Sequence, residues 1–473
     1  MSRSLCGCSS LKFYCIFGRY SNPKMSFRSF LHRDSTVAGK NYSRWYVVPA
    51  ALSIHLCIGQ IYAYSVFNKP MTMIQGITTS AGGDWKLTQL GWIFSIALFV
   101  LGASAALFGK WVERVGPRMA MFVSALCFSG GFLVAAVGIR THNIYLVYLG
   151  HGVLGGVGLG LGYISPVSTL IKWFPDRPGL ATGMAIMGFG GGAMIASPLS
   201  VSLMKLFSST SSVGVSETFL SMGIIYFAIM MIGVLLVRIP PVNWMEKEKN
   251  HADSKSSAVN LTVDEAIRTP QFWLVFLVLM LNVTAGIGVL GQASVMIQEM
   301  FGESRVGVAA ITAAGAAGFV GLLSLFNMLG RFFWSSASDY IGRKTTYAIF
   351  FVLGAALYIA IPTLGRWQSA TWFIATFCVI ISMYGGGFAT VPAYLRDLFG
   401  TKQVGAIHGR LLMAWSLAAV FGPTLINYLR EYQIDTVGLP ASEAYSFTMY
   451  IMAGLLILGL VCNLLIKPVK PIS

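Results

Sequence analysis

Charged residues are scarce in this sequence. Asp, Glu, Lys and Arg make up 11% of its 473 residues, whereas a soluble domain carries about 25%. Hydrophobic residues make up 55%, and the mean hydropathy is +0.70. A run of about 20 apolar residues can cross a hydrocarbon core about 30 Å thick as an α-helix. The composition therefore excludes a soluble protein and predicts an all-α integral membrane protein.

Twelve apolar runs each predict one transmembrane helix. Glycine is abundant, with 52 residues, and this fits a membrane protein because small residues let helices pack closely in lipid. The runs cover residues 45–67, 87–109, 118–138, 144–173, 180–207, 216–237, 271–297, 307–335, 344–364, 370–394, 409–430 and 444–466.

Acidic residues are especially few: there are 17 Asp and Glu against 33 Lys and Arg, which gives a formal net charge of +16. Such a charge can indicate a nucleic-acid partner, but its distribution favours membrane orientation. With a cytoplasmic N terminus, 25 basic residues fall on the cytoplasmic side and seven on the other, in agreement with the positive-inside rule. We therefore expect no nucleic acid but a lipid bilayer as partner. The expected protein is a multi-pass monomer of a bacterial cytoplasmic membrane, with both termini cytoplasmic.

Motifs of enzymes are missing. The sequence has no P-loop of the form G-x-x-x-x-G-K-[ST], so ATP is not the predicted energy source. It has no nucleophile elbow and no Cys/His cluster with metal-ligand spacing; Cys6 and Cys8 lack further ligands. We therefore predict no catalytic residue, no metal and no cofactor. The basic first 24 residues leave two interpretations open, a start at Met25 or a targeting segment.

The chain contains an internal duplication. A shift of 226 residues aligns Glu113 with Asp339 and Gly116 with Gly342. An internal repeat of this kind indicates that the fold consists of two similar halves. We predict two pseudo-symmetric six-helix bundles, at 45–237 and 271–466. Cytoplasmic tails at 1–44 and 467–473 flank them, and a cytoplasmic linker at 238–270 joins them, with a short surface helix near Val263–Ile267.

The segments GKWVERVGPR and SSASDYIGRK follow the second and eighth predicted helices. They carry the pattern G-x-x-x-(D/E)-R-x-G-x-(R/K) and its copy, so the whole chain resembles the major facilitator superfamily. The resemblance implies that fold and transport by alternating access. Carboxylates beside basic residues at helix ends predict ion pairs that latch the bundles on the cytoplasmic side; the alternative is that these charges only set orientation. The predicted pairs join Glu113 to Arg114 and Arg118, and Asp339 to Arg343 and Lys344.

One basic residue, Arg331, lies inside an apolar run, eight residues before Asp339. Ionisable residues inside a membrane are rare and usually face a cavity. A guanidinium group binds a carboxylate through two parallel hydrogen bonds, so we predict that Arg331 binds a carboxylate substrate. Snorkelling to the interface and a structural pairing with polar groups of the helices are the alternatives.

A narrower resemblance rests on HLCIGQIYAYSVFNKP, GLGLGYISPVSTLIKWFPDRPGLATG and HGRLLMAWSLAAVFGP. These segments resemble the oxalate/formate antiporter branch, which is similar to the monocarboxylate transporters. The branch implies small organic anions and an arginine at the position of Arg331. Its oxalate exchangers also carry a lysine that aligns with Trp415. A single fixed cation suits a monoanion better than a dianion, so we predict formate, lactate or pyruvate, with oxalate/formate exchange as a further possibility.

The sequence contains further candidates for substrate binding and for proton transport. Substrate contacts are predicted for Gln60 and Tyr64, which share one face of an α-helix, for Tyr62 off that stripe, and for Tyr163, Tyr384 and Trp415. Each is equally consistent with packing. His151 is a candidate proton carrier, with a satisfied core histidine as the alternative. Symport with protons and antiport against an anion both stay open. The rival functions are an exporter of another solute or drug, and a receptor that transports nothing.

Overall fold

The computed structural model describes residues 27–39, 42–77, 79–241, 244, 259–301, 313–440 and 443–469. Within these ranges the chain is helical, and its β-pairing is limited to isolated bridges such as Val37 with Ile239. The predictions made for Cys6, Cys8, Met25 and residues 245–258 lie outside the described residues.

Twelve long helices account for the twelve apolar runs. Eleven are long and apolar enough to cross a membrane. The remaining one, α8, has 29 residues but includes Arg331 and Asp339. The helices are α1 Arg44–Phe67, α2 Leu87–Val115, α3 Pro117–Arg140, α4 Ile144–Trp173, α5 Pro178–Phe207, α6 Val215–Leu236, α7 Pro270–Phe301, α8 Ala313–Ile341, α9 Arg343–Arg366, α10 Ala370–Phe399, α11 Val404–Thr436 and α12 Ser446–Leu465.

Three of the described helices change their winding along their length, one of them α11, which ends in the π-helical segment Tyr432–Thr436. The last nine residues of α1, Gly59–Phe67, form a 3₁₀ helix, and Tyr148–Leu154 in α4 form a π-helical segment. Long 3₁₀ stretches are uncommon, and both types of irregularity often mark functional positions. In α1 the tighter winding changes which side chains share a face.

The predicted duplication is confirmed by three pairs of helices. The bounds of α2, α3 and α4 become those of α8, α9 and α10 when 226 is added to each residue number. Gly116 and Gly342 both have φ +87° between the paired helices, a conformation that glycine adopts without strain from a Cβ atom. The two halves therefore form two pseudo-symmetric six-helix bundles, as predicted.

The described segment before α1, the end of α12 and the described parts of the linker lie on one face of the molecule, which we call the linker side. Here Ala38 N–H donates to Ile239 O at 3.0 Å, and Lys344 Nζ donates to Leu464 O at 2.7 Å. The predicted short linker helix is confirmed as Val263–Ala266, with Thr262 as its N-cap. Leu261 N–H donates to Phe399 O at 2.9 Å and so attaches the linker to the end of α10.

The bundles meet on the linker side along two helix pairs, α2 with α11 and α5 with α8. Small residues permit the approach: a Cβ atom at Gly109 would lie 2.9 Å from Cα of Ala406. Thr182 Oγ1 of α5 also donates to Ala389 O of α10 at 2.5 Å. These contacts close the linker side over the middle of the molecule.

Candidate functional site

Arg331 lies near the middle of the membrane-spanning region. It is ten residues before the end of α8 at Ile341, which corresponds to about 15 Å along the helix axis, half of a hydrocarbon core of about 30 Å. Its exposed fraction is 0%. Cβ atoms at Gly190 and Gly385 would lie 3.1 and 3.2 Å from Cδ and Cγ of Arg331, so the stem is held between α5 and α10. A side chain enclosed in this way does not reach the interface by snorkelling.

The positive charge of Arg331 has no ion-pair partner within the described part of the chain. Nε donates to Asn327 Oδ1 at 3.0 Å. Nη1 and Nη2 have no hydrogen-bond partner of regular geometry among the described residues, although the hydroxyl groups of Tyr62 and Tyr163 face the guanidinium group. A buried charge is costly unless it is paired and hydrogen-bonded, so the two terminal nitrogens form an incomplete binding site.

Six aromatic residues surround the guanidinium group, and we call them the aromatic cage: Tyr62, Tyr163, Phe189, Tyr384, Phe388 and Trp415. The guanidinium carbon lies 5.5 Å from the ring centre of Phe189 and 5.2 Å from that of Phe388, within range of cation–π attraction. The Tyr62 and Tyr384 hydroxyl groups lie 3.1 Å apart and link α1 to α10. The structure thus brings four candidate residues, Tyr62, Tyr163, Tyr384 and Trp415, together around Arg331.

Trp415 forms one wall of the cage. Its ring centre lies 4.6 Å from that of Phe388 and 5.5 Å from those of Tyr163 and Phe189. The exposed fraction of Trp415 is 1%, and its Nε1 has no hydrogen-bond partner among the described residues. Trp415 therefore gives the cage an apolar surface with one N–H group that has no partner among the described residues.

Phe189, Phe388 and Asn327 belong to this site but were not predicted from the sequence. An aromatic residue in an apolar helix gives no signal of its own. The repeat did contain a signal for one of them, because adding 226 to 189 gives 415, the position of Trp415. Phe189 and Trp415 are thus equivalent residues of the two bundles; Phe189 contacts Arg331, and Trp415 contacts Phe189 and Phe388.

Tyr64 lies apart from the cage, and Gln60 has no contact that links it to Arg331. Tyr64 donates to Sδ of Met71 at 3.5 Å and stacks on His151. Gln60 is fully buried, and its amide atoms have no partner among the described residues. The predicted shared face assumed 3.6 residues per turn, whereas this part of α1 is a 3₁₀ helix with about 3.0. Tyr62 therefore faces the other bundle.

His151 lies inside the N-terminal bundle. Its ring centre is 5.0 Å from that of Tyr64, 4.8 Å from that of Phe132 and 5.7 Å from that of Phe219. Neither ring nitrogen has a partner among the described residues. An aromatic pocket encloses this histidine, and the described contacts do not connect it with Arg331.

Asp339 joins the two bundles on the linker side. Its carboxylate accepts the N–H groups of Gly179 and Leu180, each at 2.9 Å. These donors are at the start of α5, where free N–H groups and the helix dipole favour a negative charge. Arg343 pairs with Asp339, as predicted, and also with Asp397 at 3.1 Å.

The pairs predicted for the other basic residues are wrong. Glu113 pairs with Lys172 at 2.6 Å rather than with Arg114, which is exposed, or Arg118. Arg118 is buried and donates to Phe30 O at 2.9 Å, because the segment before α1 folds over it. Lys344 donates to Leu464 O and Ile466 O at the end of α12, where unpaired carbonyl groups attract a cation.

The contact of Glu113 with the start of α11 differs from the equivalent contact of Asp339 with the start of α5. Gly405 of α11 is the repeat equivalent of Gly179, and a Cβ atom there would lie 2.6 Å from Oε1 of Glu113. Oε1 has no hydrogen-bond partner among the described residues, since Lys172 holds the other oxygen, Oε2. Glu113 thus lies at the start of α11 without the two N–H contacts that Asp339 makes at α5.

We expect Asp339→Asn to slow transport more than Glu113→Gln does. Its contacts belong to the state in which the linker side is closed, so their loss changes the balance of states rather than substrate contacts. A hydrogen bond to a charged group contributes about 1.5–3 kcal/mol, which corresponds to about tenfold or more in turnover. Uptake rate and substrate Kd, measured separately at matched expression, test this. Normal transport by both variants would mean that the charges only set orientation.

No group of three or more His, Cys, Asp or Glu side chains in the described residues could hold a metal ion. The site therefore consists of one guanidinium group, phenol and indole groups and aromatic faces. Such groups can bind an anion.

Residues 56–423, and again residues 320–473, match the family model of the Major Facilitator Superfamily. The chain is similar to the oxalate:formate antiporter of Oxalobacter formigenes, with 27% identity over 382 residues that cover 80% of this chain and 83% of the relative. It is also similar to apicoplast pyruvate carrier 1 of Toxoplasma gondii, with 22% identity over 518 residues and 92% coverage of both chains. The resemblance to the oxalate/formate branch is confirmed.

Among solved structures, the proton:xylose symporter XylE bound to 6-bromo-6-deoxy-D-glucose matches with a TM-score of 0.62 and 14% identity. The match covers 91% of this chain and 95% of that one. At this identity the likeness concerns the fold alone.

Proposed function

The chain belongs to the major facilitator superfamily, a family of transporters rather than enzymes, and we propose that it is a secondary carrier of small monocarboxylates. Formate, lactate and pyruvate are the substrates we expect. The observation that carries this proposal is the fully buried guanidinium group of Arg331, whose two terminal nitrogens lack regular hydrogen-bond partners among the described residues.

A carboxylate fits this site for reasons of charge and geometry. It is planar, and its two oxygens match the two free nitrogens of a guanidinium group. Removing an anion from water is unfavourable unless a cation compensates it, and Arg331 supplies that cation. The hydroxyl groups of Tyr62 and Tyr163, which face the guanidinium group, supply further donors to the bound oxygens.

The cage favours a monoanion over a dianion. Arg331 is the one charged group among the described residues that form the cage. The resemblance to oxalate exchangers implies a lysine at the position of Trp415, and this chain lacks that lysine. The aromatic faces suit a short apolar group, such as the methyl group of lactate or pyruvate. Relatives described as an oxalate:formate antiporter and a pyruvate carrier agree with a small carboxylate, and the single cation favours one with a single charge.

We propose the linker side as the cytoplasmic side, because most basic residues lie there in the sequence. On this assignment residues 1–44, 238–270 and 467–473 are cytoplasmic, and the bundles extend over 45–237 and 271–466. The membrane we expect is a bacterial cytoplasmic membrane. A single chain suffices as the transporting unit, since the cage is built from its helices alone.

Uptake by proteoliposomes tests the function. Purified protein is reconstituted and offered labelled formate, pyruvate, lactate and oxalate, once with unlabelled substrate inside and once with a pH gradient; protein-free liposomes give the passive leak. We expect saturable uptake of monocarboxylates with mutual competition.

Two outcomes would contradict the proposal. Binding of a carboxylate without any transport would favour a receptor. Failure to bind or move any of the four, combined with transport of an uncharged or cationic compound, would favour an exporter of another solute.

A further inference from the structure

Two histidines that the anion site does not use, His55 and His408, contact the cage residue Tyr163. We propose that His55 and His408 hold the proton that enters together with the carboxylate, which makes the carrier a proton symporter. This inference rests on the proposed function, since it names the coupling ion of the same site.

The position of the pair follows from its contacts. His55 is fully buried and His408 is 1% exposed. The ring of Tyr163 lies 5.6 Å from that of His55 and 5.8 Å from that of His408. His408 is four residues after the start of α11 at Val404, or about 6 Å along the axis, whereas Trp415 is seven residues further. His408 is therefore reached from the linker side before the cage, whereas His55, eleven residues after the start of α1 at Arg44, lies at about the same depth as Arg331.

Each histidine has a ring nitrogen without a hydrogen-bond partner of regular geometry among the described residues. Nδ1 of His55 lies 3.2 Å from Ala51 O; a carbonyl oxygen only accepts, so Nδ1 carries the proton and Nε2 has a lone pair. Nε2 of His408 has no hydrogen-bond partner in the described part of the chain, and Nε2 of His55 has none of regular geometry, although the backbone of Tyr163 faces His55. A buried polar atom without a partner is rare, and here two face one tyrosine whose hydroxyl group is also without a regular partner.

The charges around the pair explain the coupling. Tyr163 connects the pair with Arg331, because its ring contacts both histidines and its hydroxyl group faces Arg331. With the cage empty, the guanidinium group repels a proton on the pair. A carboxylate bound to Arg331 cancels that repulsion, so anion and proton each raise the affinity for the other by the same factor.

The other helices that contact the pair present few ionisable groups. α4 contributes Tyr163, and α5 contributes the backbone at Gly188, next to His55. α2 contributes Glu113 beside Gly405, about one turn before His408, with Lys172 of α4 as its partner. A carboxylate paired with Lys172 thus lies beside the start of α11, on the linker side of His408.

Pyruvate accumulation in proteoliposomes tests the inference. With about two pH units between the acidic outside and the inside, one-to-one symport allows accumulation of up to about 100-fold, since one pH unit equals about 1.36 kcal/mol. The wild type should approach this value after subtraction of the passive leak. His55→Gln with His408→Gln should reduce accumulation to about onefold, while measurable exchange against internal pyruvate remains and loses its pH dependence.

His151→Gln is the matched control, because it removes a buried histidine that the described contacts do not connect with the cage; it should accumulate pyruvate like the wild type. If the double variant does not fold, the two single variants test the inference, and we expect each of them to show a flattened pH profile of transport. Wild-type accumulation by the histidine variants would overturn the inference. Exchange without any response to the gradient in the wild type would overturn it and leave the carrier function intact. No transport in either mode would overturn both.

Discussion

Arg331→Ala abolishes carboxylate uptake if the guanidinium group binds the substrate. Removing one partner of a buried, hydrogen-bonded charge pair costs about 2–5 kcal/mol, which corresponds to a decrease in kcat/KM of about 30-fold to several thousand-fold. Arg331→Lys should recover only part of the activity, because an ammonium group lacks the planar fork. Initial rates of pyruvate and formate uptake in proteoliposomes measure both effects.

The control for this prediction is Arg366→Ala. Arg366 is an exposed arginine at the opposite end of the membrane-spanning region, so its removal should leave uptake unchanged at equal expression. Wild-type transport by Arg331→Ala would contradict the site. The contacts of Arg331 with Asn327 and with the ring faces of Phe189 and Phe388 would then be enough to stabilise it as a structural residue.

Trp415→Lys should shift the preference of the carrier from monocarboxylates towards oxalate. The new ammonium group would face the cage beside Phe388, whose ring also contacts Arg331. Two unit charges about 7 Å apart interact with about 2 kcal/mol at an effective dielectric constant near 20. A monoanion leaves that repulsion uncompensated and a dianion removes it, so the ratio of oxalate to formate kcat/KM should rise by about 30-fold.

Trp415→Phe separates charge from shape, because it keeps an aromatic wall without a cation. We expect it to retain the preference for monocarboxylates. Competition between labelled formate and unlabelled oxalate measures the ratio for all three proteins. If the wild type already transports oxalate best, the argument from the missing lysine is wrong. Arg410 of α11 would then be the candidate for a second cation.

Helix number and duplication could be predicted from the sequence because they rest on local properties. A helix in lipid satisfies its own backbone hydrogen bonds, so an apolar run of sufficient length specifies one helix regardless of its neighbours. The 226-residue repeat required only that equivalent residues recur, and the bounds of α2 and α8 agree with it. Arg331 was recognisable for the same reason, since a charge within an apolar run is conspicuous wherever it faces.

The partners of each side chain depended on the tertiary structure. Phe189 and Phe388 face Arg331 only because α5 and α10 approach α8 at glycine residues. Tyr62 rather than Tyr64 reaches the cage because α1 is wound as a 3₁₀ helix there. Lys172 pairs with Glu113 across two helices, a contact that no sequence spacing indicates. The sequence by itself determined twelve helices, two bundles and one cation inside an apolar run, since hydropathy acts residue by residue. Which groups surround that cation was decided by packing, because contacts between distant segments exist only once the helices are in place.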